Sequence, residues 1–201
     1  GITGPTGPQG ITGPTGIQGP TGPIGAGGAN GYWGSFWDTT NQSGSTVTPQ
    51  VIAIGHTDAS SYGVSIVSGN RITFASAGVY NIQYSIQFDS TDLGGSWSSV
   101  VQNDFANVWL RKNSVDISDT NSIFQIPNQF SSVTGKLIAS INYVLSISAG
   151  DYLQLVWLST NSGISIKTIP ATATVPETPG VIVTATQVLY TQLGPTEIGR
   201  A

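Results

Sequence analysis

The chain has 201 residues, including 26 glycines and 11 prolines, with no cysteine, one histidine, 8% charged residues and a formal net charge of −4. The absence of cysteine excludes disulfide bonds, thiolate metal sites and a cysteine nucleophile. Few and scattered basic residues argue against a nucleic-acid partner, and no apolar run is long enough for membrane insertion. A chain without Met that begins inside a repeat is expected to be a piece of a longer protein.

The N-terminal segment is a collagen-type repeat, with glycine at every third position from 1 to 34. Three polyproline-II chains can wind together only if the residue at their common axis lacks a side chain. The repeat therefore predicts a homotrimeric triple-helical stalk over residues 1–28, followed by a junction at 29–31. The predicted axial glycines are Gly1, Gly4, Gly7, Gly10, Gly13, Gly16, Gly19, Gly22 and Gly25.

The stalk prolines all follow glycine, and the repeat contains no charged residue. That arrangement resembles the collagen-like proteins of bacteria and viruses more than animal collagens. Without ion pairs the stalk is a poor trimerisation element by itself. We therefore expect a C-terminal head to hold the three chains in register.

Residues 32–190 show the period-two alternation of β-strands and no helical period. The clearest run is 79–88, in which tyrosine, isoleucine and phenylalanine alternate with polar residues. The pattern predicts an all-β jelly-roll sandwich of about ten strands, with 139–147 and 152–158 forming a hairpin and 191–201 a C-terminal tail. Further strands are predicted at 32–38, 50–54, 63–67, 70–74, 106–111, 115–118, 122–126, 163–169 and 181–190.

Two predicted strands, 152–158 and 181–190, are apolar on both faces. One face can pack on the opposing sheet, and the other is expected to pack on a neighbouring subunit about a threefold axis. The residues predicted to lie in the core or the trimer interface are Trp33, Trp37, Tyr80, Tyr84, Tyr143, Trp157 and Val188.

Segment 71–82, Arg-Ile-Thr-Phe-Ala-Ser-Ala-Gly-Val-Tyr-Asn-Ile, resembles the strand, turn and strand of tumour-necrosis-factor-like and complement-q-like trimeric jelly rolls. Segments 108–113 and 145–155 resemble later parts of that family in the same order. The resemblance covers roughly residues 32–190 and implies a homotrimeric jelly-roll head. Segment 32–40, Tyr-Trp-Gly-Ser-Phe-Trp-Asp-Thr-Thr, is similar to collagen-like structural proteins of tailed phages and environmental viruses.

A ligand site is predicted in the loop 89–104, where Trp97 stands among Gly and Ser. An exposed indole ring can stack on a sugar while Asp92, Ser96 and Asn103 form hydrogen bonds to its hydroxyl groups. The alternatives are that the ring tucks under the loop or seals a subunit contact.

Catalysis requires a positioned nucleophile and base, or two carboxylates of different pKa. His56 is the one histidine, and it is predicted to lie in a turn. The sequence contains no Gly-x-Ser-x-Gly motif, which would mark a serine nucleophile. We expect no enzymatic activity, no catalytic residue and no cofactor. Asp116 and Asp119 carry oxygens that suit calcium, and solvated polar turns are the other interpretation.

These features predict a non-enzymatic fibre of a virus particle, located on the virion surface. Its trimeric head would present the loops 55–62, 89–104 and 127–135 to a host-surface glycan or to another virion protein. The alternatives are a collagen-like filament on a bacterial spore or cell surface, and a soluble collagen-type lectin. The spore filaments share the stalk-and-head architecture, whereas complement-type lectins differ in having cysteine and proline before glycine.

Overall fold

The computed structural model describes residues 1–4, 31–91, 104–129 and 133–189. The described residues contain fourteen β-strands and no helix, and the strands form two antiparallel sheets. The first sheet consists of β1 (Trp33–Asp38), β2 (Gln42–Ser43), β4 (His56–Thr57), β7 (Gly78–Ser90), β11 (Gly135–Ile147), β13 (Ile164–Ile166) and β14 (Val181–Leu189). The second consists of β3 (Gln50–Val51), β5 (Val64–Val67), β6 (Arg71–Phe74), β8 (Asp104–Lys112), β9 (Val115–Asp116), β10 (Ser122–Ile126) and β12 (Tyr152–Ser159).

The first sheet is built around β7. Strand β11 pairs with β7 along all thirteen residues of both strands. On its other side β7 pairs with β13 and β14, and β1 and β4 follow beyond β14. In the second sheet the order is β10, β8, β12, β6 and β5, with β3 beside β12 and β9 beside β8.

The core lies between the two sheets and follows the alternation that the sequence predicted for residues 79–88. Tyr80, Ile82 and Tyr84 are fully buried, whereas the residues between them face the other way. Aromatic side chains from both sheets meet in this layer. The rings of Phe88 and Trp157 are 5.6 Å apart, which joins the first sheet to the second. Burying such large rings contributes much of the free energy that stabilises a sandwich.

The predicted hairpin between 139–147 and 152–158 is wrong. Strand β11 pairs with β7 in the first sheet, and β12 pairs with β8 in the second. The intervening turn at Gly150, which has a φ of +84°, carries the chain from one sheet to the other. Both strands have an apolar inward face, and two such faces bury more surface when they pack across the sandwich than when they lie side by side.

The prediction that strand 152–158 needs a neighbouring subunit to cover its second face is also wrong for its central residue. Val156 points away from the core, yet it is 0% exposed within one chain. On β14, Ile182 and Val188 of the outer face are 40% and 45% exposed within one chain, and their packing on a neighbouring subunit stays a prediction.

The sandwich has two poles. The proximal pole is the end at which residue 31 leads into β1, and it contains Trp33, Gly78 and Ile147. The distal pole is the opposite end, where β1 and β7 finish at Asp38 and Ser90. Sheet register places the starts of β11, β13 and β14 at the distal pole as well.

Candidate functional site

The outward face of the first sheet, formed by β1, β14, β7 and β11, is a regular surface with several exposed side chains. Antiparallel register arranges its side chains in rows across the four strands. One row contains Trp37, Ile182, Ser85 and Ser140, in that order. The next row towards the proximal pole contains Ser35, Thr184, Gln83 and Asn142.

Apolar side chains are prominent on this face although it lies outside the core. Ile138 and Val144 on β11 are 61% and 60% exposed, and Ile182 and Val188 on β14 are also open to solvent. Apart from Asp89 and Lys136 at the margin, the remaining outward side chains of the four strands are Ser, Thr, Asn and Gln, together with Val79, Trp33 and Trp37. An exposed apolar patch free of charge is typical of a surface that binds another protein.

His56 extends the row of Trp37 beyond the edge of β1. The sequence predicted a turn here, whereas the structure places His56 in β4, paired with Trp37. The imidazole ring stacks on the indole ring with centroids 5.6 Å apart and an interplanar angle of 12°. Its Nε2 is 3.3 Å from Oγ1 of Thr39. Among the described residues, the hydrogen-bond neighbour of this ring is Thr39 and not a carboxylate.

The charged groups of this face lie at its distal margin. Nζ of Lys136 donates to Oδ2 of Asp89, which stands directly opposite on β7, at 2.7 Å, and Oγ1 of Thr134 donates to the same oxygen at 2.8 Å. Burial by itself would raise the pKa of the Asp89 carboxyl. The hydrogen bonds from Lys136 and Thr134, with the positive charges of Lys136 and Lys167, outweigh burial and hold that pKa below its ordinary value.

The predicted core and interface residues divide into two sets. Tyr80, Tyr84 and Trp157 lie in the core, and Tyr143 is half-buried against it. The other three residues, Trp33, Trp37 and Val188, face outward on the first sheet. Val188 is exposed, and the indoles of Trp33 and Trp37 are half-buried.

The predicted ligand residues Asp92, Ser96, Trp97 and Asn103 lie outside the described residues, as do the stalk glycines from Gly7 to Gly25. Gly1 and Gly4 are described, and both are exposed.

The two calcium candidates have different surroundings. Oδ1 of Asp116 accepts a hydrogen bond from Nε of Arg111 at 2.7 Å, and this contact together with one from Trp109 lowers the pKa of Asp116. Asp119 occupies a turn with a φ of +64°. Within the described ranges, no three His, Asp or Glu side chains gather closely enough to hold a metal ion.

A hairpin at the distal pole was missed by the sequence analysis. Residues 168–180 connect β13 to β14, and Ile169 and Thr178 exchange backbone hydrogen bonds of 3.0 and 2.9 Å. Its tip is a turn in which the amide of Thr172 donates to the carbonyl of Val175. Val175 is 57% exposed. The signal was present in the sequence as a Thr- and Pro-rich run between two apolar strands.

The predicted ligand loop 55–62 begins at the distal pole, where the amide of Gly55 donates to Oδ2 of Asp38 at 2.7 Å. It then runs beside β1 towards the proximal pole, where the amide of Tyr62 donates to the carbonyl of Trp33. The distal pole also gathers the hairpin 168–180, the turn 160–163 and residues 127–129 and 133–134.

No protein-family model matches the chain, and no curated protein matches it. Among solved structures, Eiger TNF from S. frugiperda is similar, with a TM-score of 0.50 and 13% sequence identity over 84% of this chain and 99% of that chain. At this identity the similarity establishes the fold, which is a tumour-necrosis-factor-like jelly roll. No described helix is long and apolar enough to cross a membrane.

Proposed function

We propose that this chain is a non-enzymatic fibre subunit on the surface of a virus particle. A collagen-type stalk carries a homotrimeric jelly-roll head, and the head attaches to a host surface or to another virion protein. The observation that carries the proposal is the outward face of the first sheet, which combines exposed apolar residues with the absence of charge in its described central rows.

The trimer contact supplies the stability that the stalk lacks. Ile138, Val144 and Ile182 are 61%, 60% and 40% exposed, and burying the exposed part of each contributes roughly 1 kcal/mol. Serine, threonine and amide side chains between them can form hydrogen bonds across the contact without the desolvation penalty of an ion. Three copies of this face around one axis place the three N-terminal repeats side by side at the proximal pole, as a triple helix requires.

Attachment is assigned to the distal pole because it faces away from the stalk. The hairpin 168–180 is its most exposed described element, and every residue from 169 to 177 is open to solvent. A trimer presents three such hairpins at once. Simultaneous contacts raise the overall affinity of a weak individual contact by orders of magnitude.

The test is binding of the fluorescently labelled full-length protein to a panel of intact bacterial cells. We expect saturable binding to some strains, weakened at least tenfold by Val175→Asp in the distal hairpin. The matched control is Val115→Asp, since Val115 is 69% exposed at the start of β9, near the proximal pole. Absence of binding to every strain, or equal loss in both variants, would contradict the attachment function.

Two other functions use the same architecture. A collagen-like filament on a bacterial spore or cell surface would use the head as a structural tip, and the low charge of the chain suits such a coat. The finding that the head forms trimers but binds no cell would favour the filament function. A soluble collagen-type lectin would bind free oligosaccharide and would circulate without a particle.

A further inference from the structure

The outward face of the second sheet carries a cation, Arg71 on β6, that forms no ion pair with any described residue. Alternation along β6 directs Ile72 into the core and Arg71 outward, where its side chain is exposed. The ion pairs of the described residues use Arg111, Lys112 and Lys136 as their cations. Arg71 therefore keeps a positive charge that no carboxylate in the described part of the chain compensates at short range.

An aromatic ring fixes the position of this guanidinium. Cζ of Arg71 lies 4.6 Å from the ring centroid of Tyr152 on β12. Oη of Tyr152 lies 2.7 Å from Oγ of Ser114, and its backbone amide donates to Oδ1 of Asn113 at 3.0 Å. The ring is thus held at both ends. A guanidinium that already rests on a fixed ring loses less conformational freedom when it binds an oxyanion.

Cross-strand register brings a second guanidinium into the same row. Arg111 on β8 lies directly opposite Gln154 on β12. On the other side of β12, Ile72 lies opposite Leu153, so that Arg71 lies beside Gln154. Gln154 is 7% exposed and separates the two arginines. With neighbouring strands about 4.8 Å apart, the two arginine Cα atoms are about 10 Å apart, a gap across which both side chains can reach one ligand.

The carboxylate next to Tyr152 in sequence, that of Asp151, has donors of its own. Its Oδ1 accepts from Nδ2 of Asn113 at 2.7 Å, and its Oδ2 accepts from the amide of Ser148 at 2.9 Å. Nζ of Lys112 lies 3.7 Å from the same Oδ2. Lys112 therefore balances the charge of Asp151, and the guanidinium above the tyrosine ring remains available.

The exposed carboxylates in the described part of this sheet, Asp116 and Asp119, lie beyond β8, on the side away from β6. Oδ1 of Asp116 accepts from Nε of Arg111 at 2.7 Å. Three strand spacings place Cα of Asp116 about 14 Å from Cα of Arg71. Because the Debye length is about 8 Å at physiological ionic strength, these carboxylates reduce the potential around Arg71 only weakly.

The surroundings of Arg71 suit an oxyanion on a saccharide. Arginine binds carboxylate and sulfate groups through paired N–H···O bonds. The other outward residues of β5 and β6 are Ser65 and Thr73, which can bind hydroxyl groups, and Val67. A nucleic acid would require a longer row of cations, because affinity for a phosphate backbone grows with the number of phosphates neutralised.

We propose that Arg71, placed over Tyr152 and joined across Gln154 by Arg111, binds the carboxylate or sulfate groups of an acidic polysaccharide. This face lies on the opposite side of the sandwich from the trimer contact proposed above. One chain contains the whole site, which therefore does not depend on the trimer or on what the distal hairpins bind. The formal net charge of −4 opposes long-range attraction of a polyanion, so the affinity rests on these short-range contacts.

The test is binding of the full chain, at low salt, to immobilised polygalacturonate, which carries carboxylates, and to dextran sulfate, which carries sulfates. Unmodified dextran, poly-glutamate and double-stranded DNA are the comparisons. We expect saturable binding to at least one acidic polysaccharide, no binding to dextran, and weaker binding to poly-glutamate and DNA. The two acidic polysaccharides distinguish a carboxylate ligand from a sulfate ligand.

Arg71→Gln is expected to weaken this binding about tenfold, as loss of one charge-assisted contact does. Asp116→Asn releases Nε of Arg111 and removes a negative charge, so it should strengthen binding severalfold. Lys167→Gln is the matched control, because Lys167 is an exposed cation that directly follows β13 of the other sheet. It changes the net charge as Arg71→Gln does and should leave binding unchanged.

Tyr152→Leu removes the ring under the guanidinium and should weaken binding severalfold. If it also lowers the unfolding midpoint strongly, the exposed substitutions Arg71→Gln and Asp116→Asn carry the test. Failure of both acidic polysaccharides to bind would overturn the proposal. Equal weakening by Lys167→Gln, or binding to poly-glutamate or DNA as tight as to the polysaccharides, would overturn it as well.

Discussion

Ile182 lies directly opposite Trp37 in the antiparallel register of β14 and β1, and both side chains point away from the core. The pair stands in the row that crosses the centre of the proposed trimer contact. A charged side chain at this position would be buried without a partner in the trimer, whereas water would solvate it in a free monomer.

Ile182→Asp is therefore expected to convert the trimer to monomers while the jelly roll stays folded. Burial of one unpaired carboxylate in each of three contacts costs several kcal/mol. Analytical ultracentrifugation measures the mass, and circular dichroism reports the fold. Ile123→Asp is the control, because Ile123 is 63% exposed on β10 of the other sheet. Loss of the trimer in both variants would show that the contact lies elsewhere.

Loss of the hydroxyl group is expected to change the free energy of unfolding differently at the two core tyrosines Tyr80 and Tyr84. Oη of Tyr80 donates to the carbonyl of Ser76 at 2.9 Å, whereas Oη of Tyr84 is buried without a hydrogen-bond partner among the described residues. Tyr80→Phe should lower the free energy of unfolding by about 1 kcal/mol, and Tyr84→Phe should leave it unchanged or raise it by up to about 1 kcal/mol. Urea unfolding at one chain concentration measures both, and an equal loss in the two variants would contradict the assignment.

The Asp89–Lys136 contact predicts a pH dependence of stability. The pKa of Asp89 is lowered in the folded chain, so its contribution is fully present above the unfolded pKa of about 3.9. That contribution is lost as the pH falls through the folded pKa. Asp89→Asn should therefore reduce stability at pH 7 and flatten the decline between pH 5 and 2. Thermal unfolding at a series of pH values provides the measurement, and an unaltered slope would contradict the role of Asp89.

Gly135 is predicted to be the glycine least tolerant of substitution at the distal pole. A Cβ atom there would overlap the backbone oxygen of Pro127, where the segment after β10 crosses the start of β11. Gly135→Ala should lower the free energy of unfolding by about 3 kcal/mol. Gly69 has a φ of +66° and open space around it, so Gly69→Ala should cost only about 1 kcal/mol. Urea unfolding of both variants tests the difference, and a Gly135→Ala loss no larger than that of Gly69→Ala would contradict the crossing.

Much of the strand pattern was predictable because burial on one face imposes a period of two. Residues 79–88 lie within β7, and 122–126 coincide with β10. Partner choice was not predictable in the same way. Strands β11 and β12 have sequences that suit a hairpin, but their pairing is decided by long-range packing, which local alternation does not encode.

The site was less predictable than the fold. From the sequence alone, Ile182 and Val156 both belong to a second apolar strand face that is expected to be buried. In the structure Ile182 is exposed, whereas neighbours in the same chain cover Val156.

Sedimentation equilibrium of the full chain at micromolar concentration tests the central claim most directly. The account predicts a single species with the mass of three 20.8 kDa chains, which persists on tenfold dilution. A species with the mass of one chain would contradict both the trimeric head and the attachment function that depends on it.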